Sequence, residues 1–141
     1  MTYRNIILAN ETSADAHGAL VPAIALARAF KAKLTMLVVS PRLFAPTLMM
    51  EVDQARSAAK TRADFLGSIA YRQAQEAGVS LDVSFETGPF AERILDYIRN
   101  HPVDLLVLGL ARKRKLPGLL DTMALLFRKS SCSIHIIRDG V

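Results

Sequence analysis

Val103-Asp104-Leu105-Leu106-Val107-Leu108-Gly109 is the stretch of sequence that decides the fold. Residues 103–108 are almost all apolar and lack the alternation of a strand that has one wet face. Such a run is typical of a strand buried on both faces, as in parallel sheets that are covered by helices. The stretch therefore predicts a central strand.

Four further segments have the pattern of strands. Residues 5–9 and 34–39 are short apolar runs, which suit buried strands. Residues 79–86 alternate between apolar and polar side chains, which indicates a strand near a sheet edge with one wetter face. An isoleucine-rich segment at 134–137 marks the last strand.

Helical patterns fill the intervals between the strands, over residues 14–30, 49–77, 89–98 and 119–129. Pro22 either kinks the first of these helices or lies in its first turn. Gly78 is a stop signal for the second helix, and Pro89 takes the first position of the third. The alternation of strands and helices requires crossover connections. We therefore expect an α/β fold with an open, parallel, five-stranded sheet and helices on both faces.

Length and composition agree with one globular domain over residues 1–141. Hydrophobic residues make up 51% of the chain and charged residues 22%, which argues against disorder. The single cysteine, Cys132, excludes an intrachain disulfide and suits a reducing compartment. The first apolar run, Ile6-Ile7-Leu8, is too short for a signal peptide or a membrane span. A soluble cytoplasmic protein is the expectation.

Ligands of such sheets bind beyond the carboxyl ends of the strands, where the strand order reverses. The segments expected at this edge are residues 9–13, 39–42, 87–89 and those from 109 onward. Glu11 can accept hydrogen bonds from ribose hydroxyls, or it is an ordinary loop acid. Ser13 can instead cap the following helix.

The segment after the fourth predicted strand is rich in cationic residues and poor in glycine. Gly109 precedes the basic run Arg112-Lys113-Arg114-Lys115, and residues 111–141 carry the whole net charge of +5. Arg112 and Lys113 can bind phosphate through their side chains, without a tight backbone loop. The run indicates contact with an anion or an acidic partner, or it is a solvated loop. No aromatic side chain adjoins it, so nucleic acid is not an expected partner.

Conventional catalysis has little support in the sequence. The three histidines are scattered and do not have the spacing of metal ligands, and no histidine adjoins Cys132 in sequence. Walker, nucleophile-elbow and dinucleotide motifs are missing from the sequence. We expect no catalytic residue and no metal, and at most slow incidental ATP hydrolysis.

Taken together and in order, several of these pieces resemble the universal stress protein family over almost the whole chain. The matching segments are Ile6-Ile7-Leu8-Ala9-Asn10-Glu11-Thr12-Ser13, Gly88-Pro89-Phe90-Ala91-Glu92-Arg93-Ile94, Asp104-Leu105-Leu106-Val107-Leu108-Gly109 and Ser131-Cys132-Ser133-Ile134-His135-Ile136-Ile137-Arg138. The resemblance implies the strand order 3-2-1-4-5 and a role in stress survival rather than in metabolism. It also implies a homodimer formed through the last strand, at Ile134, His135 and Ile136.

Some members of that family bind ATP or AMP and others do not. In the binders an Asp at the position of Glu11 holds the ribose, and a valine matching Val39 lies against adenine. Their phosphate loop reads Gly, two residues, Gly, nine residues, then Gly with Ser or Thr. Gly109 matches its first glycine and Arg112 stands at the second, while the final pair falls on Thr122-Met123 or on Leu120-Asp121. The nucleotide-binding residues so implied are Ala9, Asn10, Glu11, Ser13, Val39, Gly109, Arg112, Lys113 and Thr122.

Two functions remain open at this point. The first is a homodimeric docking or regulatory module that meets another protein and in which nucleotide binding is weak or lost. The second is an ATP- or AMP-binding switch, with Glu11 on ribose, Val39 on adenine, and Arg112, Lys113 and Thr122 on the phosphates. The missing glycines favour the first, because side chains hinder the approach of backbone to phosphate.

Overall fold

The computed structural model describes residues 2–11, 16–40, 49–110 and 117–138. The elements within these ranges are β1 (Asn5–Glu11), a 3₁₀ turn (Ala16–Ala19), α1 (Leu20–Phe30), β2 (Lys33–Ser40), α2 (Met49–Glu76), β3 (Leu81–Thr87), α3 (Phe90–Asn100), β4 (Leu105–Leu110), α4 (Pro117–Lys129) and β5 (Ser133–Arg138). None of the helices in these ranges is long and apolar enough to cross a membrane.

All five strands form one parallel sheet in the order β3-β2-β1-β4-β5. The predicted fold class and strand order are thus confirmed. The alternating segment forms the edge strand β3, although the strand begins at Leu81 and not at Val79. Pro22 lies in the first turn of α1, and Pro89 is the residue that precedes α3 and not its first residue.

Two apolar layers cover the sheet, one on each face. Alternate residues of β1 enter them in turn: Ile6 and Leu8 pack on the side of α1 and α2, and Ile7 and Ala9 pack on the side of α3 and α4. Residues 105–108 of β4 are also buried, as the apolar run predicts. Burial of both faces in this way explains why the central strands carry few polar side chains.

Asp104 joins the starts of β1 and β4. One oxygen of its carboxylate accepts hydrogen bonds from the backbone N–H groups of Arg4, at 2.7 Å, and Asn5, at 2.8 Å. Its own backbone N–H donates to the carbonyl oxygen of Asn5 at 2.8 Å. This polar residue of the opening stretch therefore aligns the two central strands before their apolar pairing begins.

Lys31 ends α1 in a conformation that usually selects glycine. Its φ of 54° and ψ of 41° lie in the left-handed region. The backbone N–H of Lys31 donates to Arg28 O and that of Ala32 to Ala27 O, which is the Schellman pattern of helix termination. For a residue with a side chain, this left-handed conformation costs roughly 1–2 kcal/mol, because the Cβ atom crowds the following carbonyl oxygen.

We expect Lys31→Gly to raise the free energy of unfolding by about 1 kcal/mol, because glycine adopts the left-handed conformation without steric cost. Urea denaturation followed by circular dichroism measures the change. Gly78→Ala is the matched reverse substitution, since Gly78 has a φ of +73° and nothing lies within 4 Å of an added Cβ. That variant should lose a similar amount, and destabilisation by Lys31→Gly would contradict the argument.

Candidate functional site

The pairing of β1 with β4 ends before either strand does, and we call the gap between their carboxyl ends the crevice. The pairing of β1 with β4 runs from Ile6–Leu105 to Ala9–Leu108. Beyond this point β1 stays paired with β2 as far as Glu11–Val39, and β4 stays paired with β5 as far as Leu110–Arg138. The two central strands therefore separate where the strand order reverses, which is the usual ligand position in open parallel sheets.

Glu11 and Val39 lie side by side across β1 and β2. The alternation along β1 places Glu11 on the same face as Ala9, toward α3 and α4. Val39 and Ala9 are buried in the core of that face, whereas Glu11 is half-buried. Of these three predicted site residues, Glu11 therefore offers the most surface to a ligand, and the side chain of Val39 offers none in this structure.

Asn10 points to the opposite face, toward α1. Its side chain is 5% exposed, and Asn10 Oδ1 has no hydrogen-bond partner among the described residues. An unpaired buried carbonyl oxygen costs about 1–3 kcal/mol. Sequence reasoning included Asn10 because of its place at the strand end. The structure adds that this oxygen is enclosed, so a ligand N–H or O–H group would reach it only after a local rearrangement.

Gly109 lies beside the 3₁₀ turn at the far wall of the crevice. A Cβ built on Gly109 would be 2.8 Å from Ala19 Cβ, closer than two such carbons approach. The backbone of Gly109 is not in the left-handed region, so close packing and not conformation requires glycine here. The first glycine of the implied phosphate loop thus has a packing role.

Arg93 covers the adjoining strand end and was not predicted as a site residue. Its side chain folds over Gly88, whose added Cβ would be 3.2 Å from Arg93 Cδ. Arg93 Nη2 pairs with Asp96 Oδ2 at 2.7 Å, while its buried Nε has no hydrogen-bond partner among the residues that are described. The Gly88 N–H donates to Ser40 O at 2.9 Å, so this cation lies where β2 and β3 end.

The remaining predicted site residues are only partly placed. Thr122 is half-buried on α4, beside the exposed Asp121. Ser13, Arg112 and Lys113 lie outside the described residues. The structure therefore brings together Ala9, Asn10, Glu11, Val39 and Gly109, at the carboxyl ends of three neighbouring strands.

Groups suited to metal binding or nucleophilic catalysis are sparse in the described ranges. No cluster of three or more potential metal ligands occurs there. Burial raises the pKa of the Cys132 thiol, which keeps it protonated and weakly nucleophilic at neutral pH. The ring of His101 stacks on Tyr97 with centroids 3.9 Å apart, which gives this histidine a packing partner.

The sequence profile of the universal stress protein family matches residues 2–138. The chain belongs to this family. A search of curated proteins gives no significant match. The family match spans the central strands, the crevice and the last strand, so every part of the candidate site lies within it.

Solved universal stress proteins have the same fold. The protein UspA from Lactobacillus plantarum is 25% identical, with a TM-score of 0.84 over 98% of this chain and 99% of its own. A family member from Arabidopsis thaliana with AMP bound is 15% identical, with a TM-score of 0.65 over 98% and 93%. A universal stress protein in complex with cAMP is 18% identical, with a TM-score of 0.69 over 99% and 100%.

We expect Gly109→Ala to destabilise this universal stress protein by about 1–3 kcal/mol, because the added methyl group would push the 3₁₀ turn away from β4. Thermal and urea denaturation measure the loss. Gly67→Ala is the control, since its added Cβ would be 3.2 Å from the partly exposed Val83 side chain, and alanine favours the helix. Equal stability of Gly109→Ala and the unaltered protein would show that the close approach to Ala19 is not required.

Proposed function

We propose that the chain is a non-enzymatic universal stress protein that acts as a homodimeric docking or regulatory module in the cytoplasm. In this proposal a protein partner replaces the nucleotide as the main ligand. The observation that carries it is the contact of Gly109 with the 3₁₀ turn. The absence of a side chain at Gly109 serves packing against Ala19, at 2.8 Å from a built Cβ, and does not by itself indicate a phosphate.

Two further features support weak or absent nucleotide binding. The second glycine of the implied phosphate loop is Arg112, whose side chain hinders a close approach of backbone to phosphate. Val39, at the expected adenine position, is fully buried among core residues. A base would have to displace part of that packing to reach the side chain, and large movements of a close-packed core are costly.

Isothermal titration calorimetry with ATP, AMP and cyclic AMP tests this part of the proposal. We expect no saturable heat and no thermal shift up to about 1 mM nucleotide. Any binding would then be weaker than a Kd of about 1 mM, which corresponds to a binding free energy of about 4 kcal/mol. The unaltered full chain is the sample. Binding of any of the three at micromolar concentration would contradict the proposal.

A nucleotide switch is the second candidate, and the unpaired Asn10 Oδ1 favours it. This oxygen is buried, belongs to the residue that precedes Glu11 in β1, and lacks a hydrogen-bond donor among the described residues. Glu11 would bind ribose, Val39 adenine, and Arg112, Lys113 and Thr122 the phosphates. Two solved relatives contain AMP and cAMP, respectively. If heat is observed, Glu11→Gln should abolish most of it, whereas Glu76→Gln at the end of α2 should not.

The proposed dimer rests on the outer edge of β5. Within the described residues β5 pairs with β4 alone, so its other edge presents backbone hydrogen-bonding groups. Ile134 and Ile136 are half-buried on one face and His135 is exposed on the other. An edge strand of this kind invites pairing with another strand, and a second copy would cover it symmetrically.

We expect sedimentation velocity at about 10 µM to give a dimer, and Ile136→Lys to weaken dimerisation at least about tenfold, because a cation on the edge opposes strand pairing. Val83→Lys is the control on the other edge strand, where Val83 is 42% exposed. Circular dichroism establishes that both variants fold. A monomeric unaltered chain, or equal dimerisation of both variants and the parent, would contradict the dimer.

A further inference from the structure

A cleft lies at the amino edge of the sheet, on the side opposite the crevice. It runs between the C-terminal end of α1 and the turn before β3, and its volume is about 380 Å³. We call it the amino-edge cleft and define it by Arg28, Lys31, Lys33 and residues 78–80. Small-molecule sites begin at about this volume.

The charge of the amino-edge cleft is positive. Three of its lining residues are cationic and none is acidic. Lys33 Nζ pairs with Asp82 Oδ2 at 2.7 Å, and this hydrogen bond raises the pKa of Lys33. Arg28 and Lys31 have no carboxylate partner among the described residues. The cleft therefore holds two cations without a carboxylate partner and a third that is paired with one acid.

The backbone at the end of α1 does not repel an anion as strongly as a bare helix end would. The last carbonyl groups of a helix normally present unpaired oxygen atoms. Here Arg28 O accepts from the Lys31 N–H at 3.2 Å, and Ala27 O accepts from the Ala32 N–H at 2.8 Å. The negative end of the helix meanwhile favours Arg28 and Lys31 at this place without an acid beside them.

Besides the positive charge of the cleft, the presence of lysine at position 31 supports a binding role. Glycine would fit the left-handed backbone of this position better than lysine, whose φ is 54°. Backbone strain of this kind often accompanies a functional side chain. The strained position adds a cation at the rim of a concave, already positive surface. The exposed Ser80 contributes a hydroxyl group to the same cleft.

We propose that the amino-edge cleft binds the phosphate group of a small phosphorylated molecule. A phosphate dianion matches two unpaired cations, and it can accept hydrogen bonds from the guanidinium fork of Arg28, the ammonium of Lys31 and the hydroxyl of Ser80. This site is separate from the crevice, because it lies where β2 and β3 begin. Its existence does not depend on the function proposed above.

Nuclear magnetic resonance titration of the ¹⁵N-labelled full chain tests the proposal, with inorganic pyrophosphate and glucose 6-phosphate as separate probes. Sodium chloride at matched ionic strength is the reference. We expect saturable amide shifts at residues 28, 31–33 and 78–80, weakened by added salt. Shifts with both probes indicate recognition of the phosphate group itself, and shifts with only one identify an inorganic or an organic source.

Variants assign the shifts to the amino-edge cleft. Lys31→Gly and Arg28→Gln should each raise the Kd about fivefold, as expected for the loss of one surface charge contact. Lys129→Gln removes the same charge from α4, on the other face of the sheet, and should leave the Kd within about twofold of the parent value. Because Lys31→Gly is expected to stabilise the fold, a loss of binding in that variant cannot be ascribed to unfolding.

Three outcomes would overturn the proposal. The first is the absence of saturable shifts at these residues with either probe. The second is an equal effect of Lys129→Gln, which would mean that only net charge matters. The third is tighter binding of a glutamate peptide than of pyrophosphate at equal ionic strength, because the cleft would then serve an acidic protein segment.

Discussion

The structure depends on the double pairing of β1. This strand hydrogen-bonds to β2 on one edge and to β4 on the other, and its side chains are buried in turn on both faces. A strand so enclosed allows no slip of register, because a shift of one residue would move every side chain into the wrong layer. The separation of β1 from β4 after Ala9 follows from the same arrangement, since each strand continues with its outer partner. The crevice is therefore a property of the strand order.

The packing beside that crevice constrains what it can bind. The 3₁₀ turn packs against Gly109 on one face of the sheet, and the side chain of Val39 is buried in the core on the other face. Glu11 and Asn10 supply polar groups at the end of β1, one on each face, and the Asn10 Oδ1 atom is buried. An acid and an amide suit hydroxyl and amino groups better than they suit phosphate, which carries the same charge as Glu11. Recognition of a neutral polar surface is consistent with a docking role.

The sequence predicted the layers of this fold well and its close contacts poorly. Apolar runs such as 103–108 predicted buried parallel strands because the hydrophobic pattern is local and strong. The approach of Ala19 to Gly109 joins residues far apart in sequence, and no local pattern reports it. The end of α1 at Lys31 also has no local signal, because the residue that usually marks such a helix end is glycine. The family resemblance assigned Glu11 to ribose and Val39 to adenine, and these roles stay predictions. Arg93 has no sequence signal that separates it from an ordinary surface cation.

Acidic and amide groups lie at the carboxyl ends of the strands, and basic groups lie at their amino ends. The carboxyl edge carries Glu11 and an unpaired amide oxygen, and the amino edge carries Arg28, Lys31 and Lys33 around a concave surface. Parallel strands all point the same way, so groups at opposite edges are separated by the full strand length, and β2 alone has eight residues. At about 3.3 Å per residue this exceeds twice the screening length at physiological salt. Exposed ligands at the two ends would therefore interact only weakly through charge, and stronger coupling between them would have to pass through the packed strands.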